Sequence, residues 1–277
     1  MPLVEVSTYQ RWIENVADRV DPLVSLAKPY VDGLDHLPRD GRFLLVGNHT
    51  QAGTEALLIP YVVRRQIGIR VRPLADRRFG NVKGVPGDLF AAAGAVVGTP
   101  ETAHRLMEMG EPILVFPGGG REISKAKDQL YTLMWNGRNG FARIAAAHDY
   151  PIIPVALVGG DDAYHVLTTS DGRWARWSKP LVTRLTGTPD MAMPLMRGIG
   201  PTLIPRPQRT YLRFGTPIDT TKPSAVAAEE WTATVRERVK VALEGDITAL
   251  LEVRARDPYR QLAPWARGAA VMPGPTR

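Results

Sequence analysis

Short apolar runs alternate with segments of helical periodicity between Gly41 and about Gly160, and this alternation constrains the fold more than any other feature of the chain. Four of the runs have the length and composition of buried strands. They are residues 44–46, 94–97, 113–116 and 152–158. Strands that alternate with helical segments are typical of sheets covered by helices. We therefore predict an α/β fold, with a layered mixed sheet flanked by helices.

The rest of the sequence divides the chain into three expected parts. Residues 1–40 carry apolar side chains mainly three or four positions apart, which predicts an N-terminal helical segment. Residues 41–263 are expected to form one α/β domain, because a chain of 277 residues is long enough to bury a large core. Residues 264–277 offer little material for a core, so a flexible tail is predicted.

Two segments of the main domain depart from the alternation. Residues 167–207 are rich in Pro, Gly, Arg, Trp and Met, which predicts a loop-rich basic and aromatic insertion with short helices. A late strand at residues 210–214 and a helix that starts near Ser224 are expected to follow. Gly245 is predicted to break that helix.

The composition limits the chemistry that the chain can carry. It contains no cysteine, which excludes disulfide bonds, a thiolate nucleophile and thiolate metal ligands. Its five histidines lack the spacing of zinc ligands, so neither a metal nor a resident cofactor is predicted. The N-terminus does not resemble a secretory signal, and no apolar stretch reaches the ~20 residues that cross a bilayer. We therefore expect a cytoplasmic location.

The formal net charge of +7 favours anionic partners. Membrane surfaces and nucleic acids are both anionic, and charge alone does not distinguish them. The sequence has no zinc-finger spacing, no RNA-recognition strand motif and no long basic block, so nucleic acid is not a predicted partner.

A histidine follows the first strong apolar run, where a strand is predicted to end. Asn48 and His49 come directly after residues 42–47, and Glu55 lies six residues beyond the histidine. A neutral imidazole can take a proton from an alcohol, while a carboxylate orients the ring and stabilises the charge that forms. A histidine beside a buried strand is more often structural, so this block alone leaves both interpretations open.

A second block combines glycines with charged residues. Residues 118–120 are three glycines that follow a predicted strand, and Arg121 and Glu122 come directly after them. Glycines let the backbone approach a ligand closely and leave N–H groups for an anion, and arginine offers a planar fork for phosphate or carboxylate. A tight turn is the simpler interpretation, but the charged neighbours favour binding.

A third block consists mostly of core residues. Residues 140–145 predict a helix packed on the sheet, and residues 151–159 predict a buried strand. Asp161 and Asp162 follow that strand, where they would either line a site or cap the next helix. Residues 31–38 predict only a turn.

In this order the blocks resemble the glycerolipid acyltransferase superfamily, and the resemblance covers residues 31 to 217. Members typically show Val-x-Gly-x-Glu-x-Leu-Pro, then Asn-His with a downstream acid, a Gly-rich block, and Pro-hydrophobic-hydrophobic-Pro-Val. This chain offers residues 31–38, 48–55, 116–122 and 151–155 in the same order. It is most similar to the branch of diacylglycerol acyltransferase-like proteins and phytyl ester synthases. That similarity rests on residues 116–122, 131–135 and 140–145.

The resemblance implies transfer of a fatty acyl group from a thioester to a hydroxyl of a glycerolipid or another lipid alcohol. The co-substrate would be acyl-CoA or an acyl carrier protein thioester, with no metal and no covalent acyl-enzyme. His49 would be the general base and Glu55 its partner. The superfamily usually has aspartate five residues after the histidine. Here that position is Thr54, so Thr54 is a rival contact for the ring.

The same resemblance implies a substrate-binding wall. Arg121 would bind the acceptor headgroup or the phosphates of the donor, and the glycines would donate N–H groups to the developing oxyanion. The predicted substrate-binding residues are Asn48, Thr54, Gly118, Gly119, Gly120, Arg121 and Glu122. Arg77, Arg78 and Lys83 lie near the place where the superfamily often has another binding arginine.

Lipid substrates would also give residues 167–207 a function. Aromatic and basic residues alternate there, which suits docking of a peripheral enzyme on an anionic membrane surface. A packed cap with a solvated basic face is the alternative. The basic residues are Arg173, Arg176, Lys179, Arg184, Arg197, Arg206 and Arg209.

Two other functions remain open from the sequence. One is a lipid esterase or thioesterase, although the sequence lacks the Gly-x-Ser-x-Gly nucleophile motif of α/β-hydrolases. The other is a non-catalytic basic lipid-binding protein with a degenerate acyltransferase site. Acyl-chain length, acceptor identity and oligomeric state do not follow from the sequence.

Overall fold

The computed structural model describes residues 28–51, 53–75, 96–187 and 189–262. Most of the predicted N-terminal helical segment, the predicted tail, and Arg77, Arg78 and Lys83 lie outside these residues. Within them the predicted α/β architecture is confirmed, because a sheet of seven strands has helices packed on both faces.

The large sheet is mostly parallel. Its strands are β1 (Tyr30–Asp32), β2 (Leu44–Gly47), β3 (Arg72–Ala75), β4 (Val96–Val97), β5 (Ile113–Val115), β6 (Ile152–Val158) and β9 (Tyr211–Phe214). Across the sheet the order is β1-β9-β6-β2-β5-β3-β4. Each neighbouring pair is parallel except β6 and β9. A separate antiparallel ribbon consists of β7 (His165–Val166) and β8 (Met196–Arg197).

Six α-helices lie in the described ranges. They are α1 (Glu55–Ile67), α2 (Pro100–Glu108), α3 (Gly120–Ile123), α4 (Gly140–Ala147), α5 (Arg173–Thr186) and α6 (Ala228–Arg256). The start of α2 is well specified, because the Thr99 side chain accepts a hydrogen bond from the Thr102 N–H and Pro100 occupies the first turn. No helix in the described ranges is long and apolar enough to cross a membrane.

The two central strands are buried on both faces. All four residues of β2 and all seven residues of β6 are buried, which explains why their sequences are continuous apolar runs without alternation. Successive side chains still point to opposite faces. Leu44 and Val46 pack in the core that contains α6, and Leu45 packs in the core that contains α1.

The C-terminal helix is continuous, so the predicted break at Gly245 is wrong. Helix α6 spans 29 residues and passes through this glycine. A glycine inside a helix costs about 1 kcal/mol relative to alanine. Leu243 and Ile247 are buried on either side of it, and burying one such side chain contributes about 1.5–3 kcal/mol. The packing therefore outweighs the local preference.

The segment 167–207 has more regular structure than the sequence predicted. Helix α5 spans 14 residues, where only short helices were expected. Pro180 lies inside this helix and obscures its pattern in the sequence. The segment also contains a 3-10 turn, Pro189–Met191, and the strand β8. We call this unit the cap.

Candidate active site

Three neighbouring strands end at the candidate site. Strands β6, β2 and β5 lie side by side and parallel, so their carboxyl ends meet at one edge of the sheet. His49 follows β2, the glycine turn at residues 118–120 follows β5, and Asp161 follows β6. The sheet thus brings together blocks that are far apart in the sequence.

The structure brings His49 and Glu55 into contact. The Nδ1 atom of His49 is hydrogen-bonded to Oε1 of Glu55, which is the first residue of α1. Thr50 supports the same carboxylate, since its N–H donates to Oε1 at 2.9 Å and its hydroxyl donates to Oε2 at 2.6 Å. Because the carboxylate holds Nδ1, Nε2 is the nitrogen left to accept a proton.

Glu55 is fully buried, yet its surroundings favour the charged form. Burial by itself raises the pKa of the carboxyl, but attraction to His49 and hydrogen bonds from His49 and Thr50 lower it further than burial raises it. The net result is a pKa below the ordinary value for glutamate. Glu55 is therefore a carboxylate at neutral pH, as an orienting partner for an imidazole must be.

The main chain and the ring of His49 are held from three other sides. The His49 N–H donates to Oε2 of Glu122 at 2.7 Å, and the His49 carbonyl accepts from Nζ of Lys125 at 2.8 Å. The ring stacks on Phe116, with 4.3 Å between the ring centroids. His49 therefore has a restricted orientation before any substrate binds.

Lys125 is a buried cation that the sequence interpretation missed. Its Nζ lies 3.2 Å from Oδ2 of Asp161, and both side chains have no exposed surface. Asp161 also accepts from the N–H groups of Gln51 and Tyr131 at 3.0 and 2.9 Å. The sequence proposed that Asp161 lines the site or caps a helix. The structure shows instead that it connects the loops that carry Gln51, Lys125 and Tyr131. No periodicity marks Lys125, because it lies in the irregular segment after α3.

We expect Lys125→Met to lower the free energy of unfolding by about 3–5 kcal/mol, because it leaves the buried Asp161 carboxylate without its cation. Chemical denaturation of the purified variant measures this. The matched control is Lys127→Met, since Lys127 is exposed and two residues away. The control should change stability by less than about 0.5 kcal/mol. Equal stability of the two variants would contradict the role assigned to Lys125.

The turn after β5 requires glycine at two positions. A Cβ on Gly118 would lie 2.0 Å from Cδ of Glu122, and Gly119 has φ of 56°. The close approach lets Glu122 reach under the turn, where it accepts from the N–H groups of His49 and Met134 at 2.7 and 2.8 Å. Burial raises the pKa of Glu122 despite nearby Lys125 and these two hydrogen bonds. Glu122 thus fixes the main chain of His49 relative to the segment that carries Met134.

The predicted oxyanion donors differ in availability. The Gly119 N–H donates to the Phe116 carbonyl at 3.1 Å, so that amide is already engaged. Gly119 and Gly120 line the cavity described below. The oxyanion role of all three glycines stays a prediction.

Arg121 forms an ion pair with the cap. Its Nε lies 2.9 Å from Oδ1 of Asp190. Arg138 approaches the other carboxylate oxygen, with 3.8 Å between Nη2 and Oδ2. The sequence predicted Arg121 as a ligand for the acceptor headgroup or the phosphates of the donor, which stays a prediction, and it did not identify either Asp190 or Arg138.

Asn48 and Thr54 lie differently from the other predicted residues. The Asn48 amide is buried and exchanges two hydrogen bonds with the main chain of Leu157, at 2.9 and 2.8 Å. It therefore joins the end of β2 to β6. Thr54 is exposed and precedes α1, and the hydrogen bond to His49 comes from Glu55. Substrate binding by Asn48 and Thr54 remains a prediction.

An apolar cavity of about 370 Å³ opens beside His49. It extends between the sheet and the helices α2 and α4. Apolar and small residues dominate its lining, including Leu74, Ala103, Met107, Ile113, Phe141 and Ile144. His49, Gly119, Gly120 and Arg138 form its polar wall. Within the part of the chain that the structure describes, no cluster of three or more His, Asp or Glu is arranged to hold a metal ion.

Comparison with known proteins identifies the class. Residues 28–158 match the family model Acyltransferase. Residues 28–158 therefore form an acyltransferase domain, and this match supports the resemblance to the glycerolipid acyltransferase superfamily that the motifs predicted.

Particular relatives are similar to most of this chain. An uncharacterized protein of Mycobacterium leprae is 32% identical over 228 residues, covering 77% of this chain and 58% of the relative. Phytyl ester synthase 1, chloroplastic, of Arabidopsis thaliana is 30% identical over 249 residues, covering 84% of this chain and 35% of the relative. The match to the crystal structure of the 1-acyl-sn-glycerophosphate (LPA) acyltransferase PlsC from Thermotoga maritima has a TM-score of 0.44. It covers 85% of this chain and 78% of the PlsC chain, with 21% sequence identity.

The chain spans only 58% of the Mycobacterium leprae relative and 35% of the Arabidopsis thaliana relative. The activity, substrates and partners of the whole protein are therefore proposals. The acyltransferase domain of residues 28–158 and the α/β fold do not depend on them.

Proposed function

We propose that the protein is an O-acyltransferase that moves a fatty acyl group from an acyl thioester to the hydroxyl of a lipid alcohol. The observation that carries the proposal is the His49–Glu55 pair at the wall of an apolar cavity. A base in the cavity wall suits an alcohol nucleophile, and an apolar cavity suits an acyl chain. Membership of an acyltransferase family supports both assignments.

The proposed reaction uses His49 twice. Its Nε2 takes the proton of the acceptor hydroxyl while the hydroxyl oxygen attacks the thioester carbonyl. The Glu55 carboxylate stabilises the imidazolium that forms. The tetrahedral intermediate collapses with cleavage of the carbon–sulfur bond, and the imidazolium returns the proton to the departing thiolate. The products are an ester and a free thiol.

The cavity would hold the acyl chain of the donor. Its volume of about 370 Å³ lies within the range of about 300–1,000 Å³ that is common for ligand sites. Each methylene group that moves from water into such a cavity contributes about 0.8 kcal/mol. An apolar chain of several carbons would therefore supply much of the binding energy for the donor.

A product analysis tests this proposal. The purified protein is incubated with a labelled long-chain acyl-CoA or acyl carrier protein thioester and a panel of monoacylglycerol, lysophospholipids, diacylglycerol and long-chain alcohols. We expect a labelled ester whose formation requires one of these acceptors. Release of free fatty acid without any ester would instead identify a thioesterase, and intact thioester in every reaction would contradict an enzymatic function.

We further propose that the cap attaches the protein to an anionic membrane surface. Trp174, Trp177 and Leu181 lie on one side of α5 at spacings of three and four residues, with 36%, 61% and 45% of their surfaces exposed. The exposed residues Arg173, Arg176 and Arg184 lie on the same helix, to one side of this stripe. An exposed apolar stripe with flanking cations fits the boundary between acyl chains and anionic headgroups.

Two basic residues of the predicted docking segment do not belong to this surface. Arg209 is buried, and its Nη1 lies 2.7 Å from Oδ2 of Asp257. Arg206 donates from Nη2 to the Asp162 carbonyl at 2.6 Å. Arg206 thus joins the cap to the loop after β6, and Arg209 joins the start of β9 to the end of α6.

Neutralising the three surface cations should weaken vesicle binding. The variant Arg173→Gln/Arg176→Gln/Arg184→Gln is expected to bind vesicles containing phosphatidylglycerol about 100-fold less tightly, because each cation near such a surface contributes about 1 kcal/mol. Sedimentation with vesicles measures the change.

The control removes the same charge elsewhere. Arg39→Gln/Arg238→Gln/Arg256→Gln changes three exposed residues outside the cap. We expect this control to bind nearly as the parent does. Equal loss in both variants would mean that net charge, and not the cap surface, determines membrane binding.

A further inference from the structure

A carboxylate from the cap lies between the two arginines of the candidate binding wall. Asp190 lies in the 3-10 turn Pro189–Met191, and its two oxygens approach Nε of Arg121 at 2.9 Å and Nη2 of Arg138 at 3.8 Å. Arg138 lines the cavity, and Arg121 lies in α3 between Gly120 and Ile123, which also line it. The acidic group therefore lies beside an arginine of the cavity wall.

The donors of Arg138 are also engaged on its other side. Its Nη1 donates to the carbonyls of Pro117 and Gly118 at 2.8 and 3.2 Å. Within the described ranges, Nη1 of Arg121 is buried and has no hydrogen-bond partner. The wall thus has an Nη1 group of Arg121 whose N–H bonds have no acceptor, beside a carboxylate that balances the charge of the same arginine.

We propose that Asp190 selects acceptors that carry no phosphate near the reacting hydroxyl. This inference rests on the acyl transfer proposed above. A phosphate monoester would compete with Asp190 for Nε of Arg121, and it would meet a like charge at the same place. A single neutral oxygen of a lipid alcohol can instead accept from the unused N–H of Arg121 without displacing Asp190. Arg121 would therefore bind a neutral acceptor and not a phosphate headgroup.

Two acceptors that differ only in the phosphate give a direct test. The values of kcat/KM are compared for 1-oleoylglycerol and 1-oleoylglycerol 3-phosphate with the same acyl donor. We expect the protein to prefer the neutral acceptor by about tenfold or more, since a like-charge contact costs at least one factor of ten in affinity. Asp190→Asn should reduce this preference by about tenfold, mainly through a lower KM for the phosphorylated acceptor.

The control is an aspartate in a similar ion pair outside the site. Asp32 lies 2.8 Å from Nη2 of Arg213, on an edge strand of the sheet, and its side chain is 21% exposed compared with 17% for Asp190. Asp32→Asn should leave the preference unchanged. The double variant Asp190→Asn/Arg121→Gln should lose the gain for the phosphorylated acceptor, because the proposed phosphate ligand is then absent.

A binding measurement separates this inference from the proposed function. Calorimetric titration with glycerol 3-phosphate should detect binding to Asp190→Asn and at least about tenfold weaker binding to the parent protein. If no ester forms from any acceptor, the proposed function fails, and the titration still decides the role of Asp190. Equal affinity of parent and Asp190→Asn, or an unchanged acceptor preference, would overturn the inference.

Discussion

His49→Ala is expected to lower the rate of ester formation by about 10²- to 10⁴-fold, which is the usual contribution of a general base. The variant removes the nitrogen that would take the proton of the acceptor alcohol. Most of the acyl-chain lining would be intact, since the cavity wall is formed by residues of several strands and helices. We therefore expect the loss in kcat, with the KM for the acyl donor changed little. Steady-state kinetics with the ester product as readout measures both.

Two further variants show whether such a loss is chemical. His49→Gln keeps a hydrogen-bonding group beside Glu55 but cannot act as a base near neutral pH, so it should lose activity like His49→Ala. His165→Ala changes an exposed histidine of β7 and should retain activity. Thermal unfolding of all three variants reports on the fold. Turnover by His49→Ala at the rate of the parent would rule out the mechanism.

Glu55→Gln should have the second largest effect, a loss of about 10²- to 10⁴-fold in kcat by comparison with other acid–imidazole pairs. The amide can donate its proton to Nδ1, which would leave the other proton of the ring on Nε2, where the mechanism needs a lone pair. Thr54→Ala is the matched control, because Thr54 occupies the position of the usual aspartate and is exposed. Activity in Glu55→Gln together with a loss in Thr54→Ala would reverse the assignment.

We also expect the difference in the free energy of unfolding between the parent and Glu55→Gln to depend on pH. The pKa of Glu55 is lowered in the folded protein, so the unfolded chain takes up the proton first as pH falls. The stability due to the carboxylate is complete above the unfolded pKa of about 4.3 and is lost as pH falls towards the lower folded value. Denaturation of the parent and Glu55→Gln at several pH values should show their difference shrinking below about pH 4.3. A constant difference would contradict the lowered pKa.

The central strands and the α/β class could be predicted because their cause is local, whereas the expectation of only a turn at residues 31–38 is wrong, since β1 (Tyr30–Asp32) pairs with the distant strand β9. Residues 44–46, 113–116 and 152–158 form continuous apolar runs, and runs of this length are typical of buried strands in a layered fold. The predicted helix at residues 140–145 corresponds to α4, which spans Gly140–Ala147. Gly245 was misjudged because the burial of Leu243 and Ile247 depends on partners that are distant in sequence.

Much of the candidate site could also be located from motifs. His49, Glu55 and the glycine turn follow predicted strands, and parallel strands place their carboxyl ends together. The side chains that hold the site from below were not recognisable. Lys125 and Asp161 lie in irregular segments, where no period indicates which side chain is buried. Their pairing depends on the path of two loops, which a single sequence does not specify.

The sequence by itself determined the alternation of the central strands with helices, the resemblance to the superfamily and the position of His49 with its carboxylate, because each depends on residues that are near one another in the chain or on a recognisable motif. Only the tertiary structure decided what surrounds them. It placed an apolar cavity beside His49, and it set Asp190 of the cap against Arg121 and Arg138. The charge that an acceptor meets is a sum over groups brought together from distant segments, and for that reason a motif identifies the arginine but not whether its charge is already balanced.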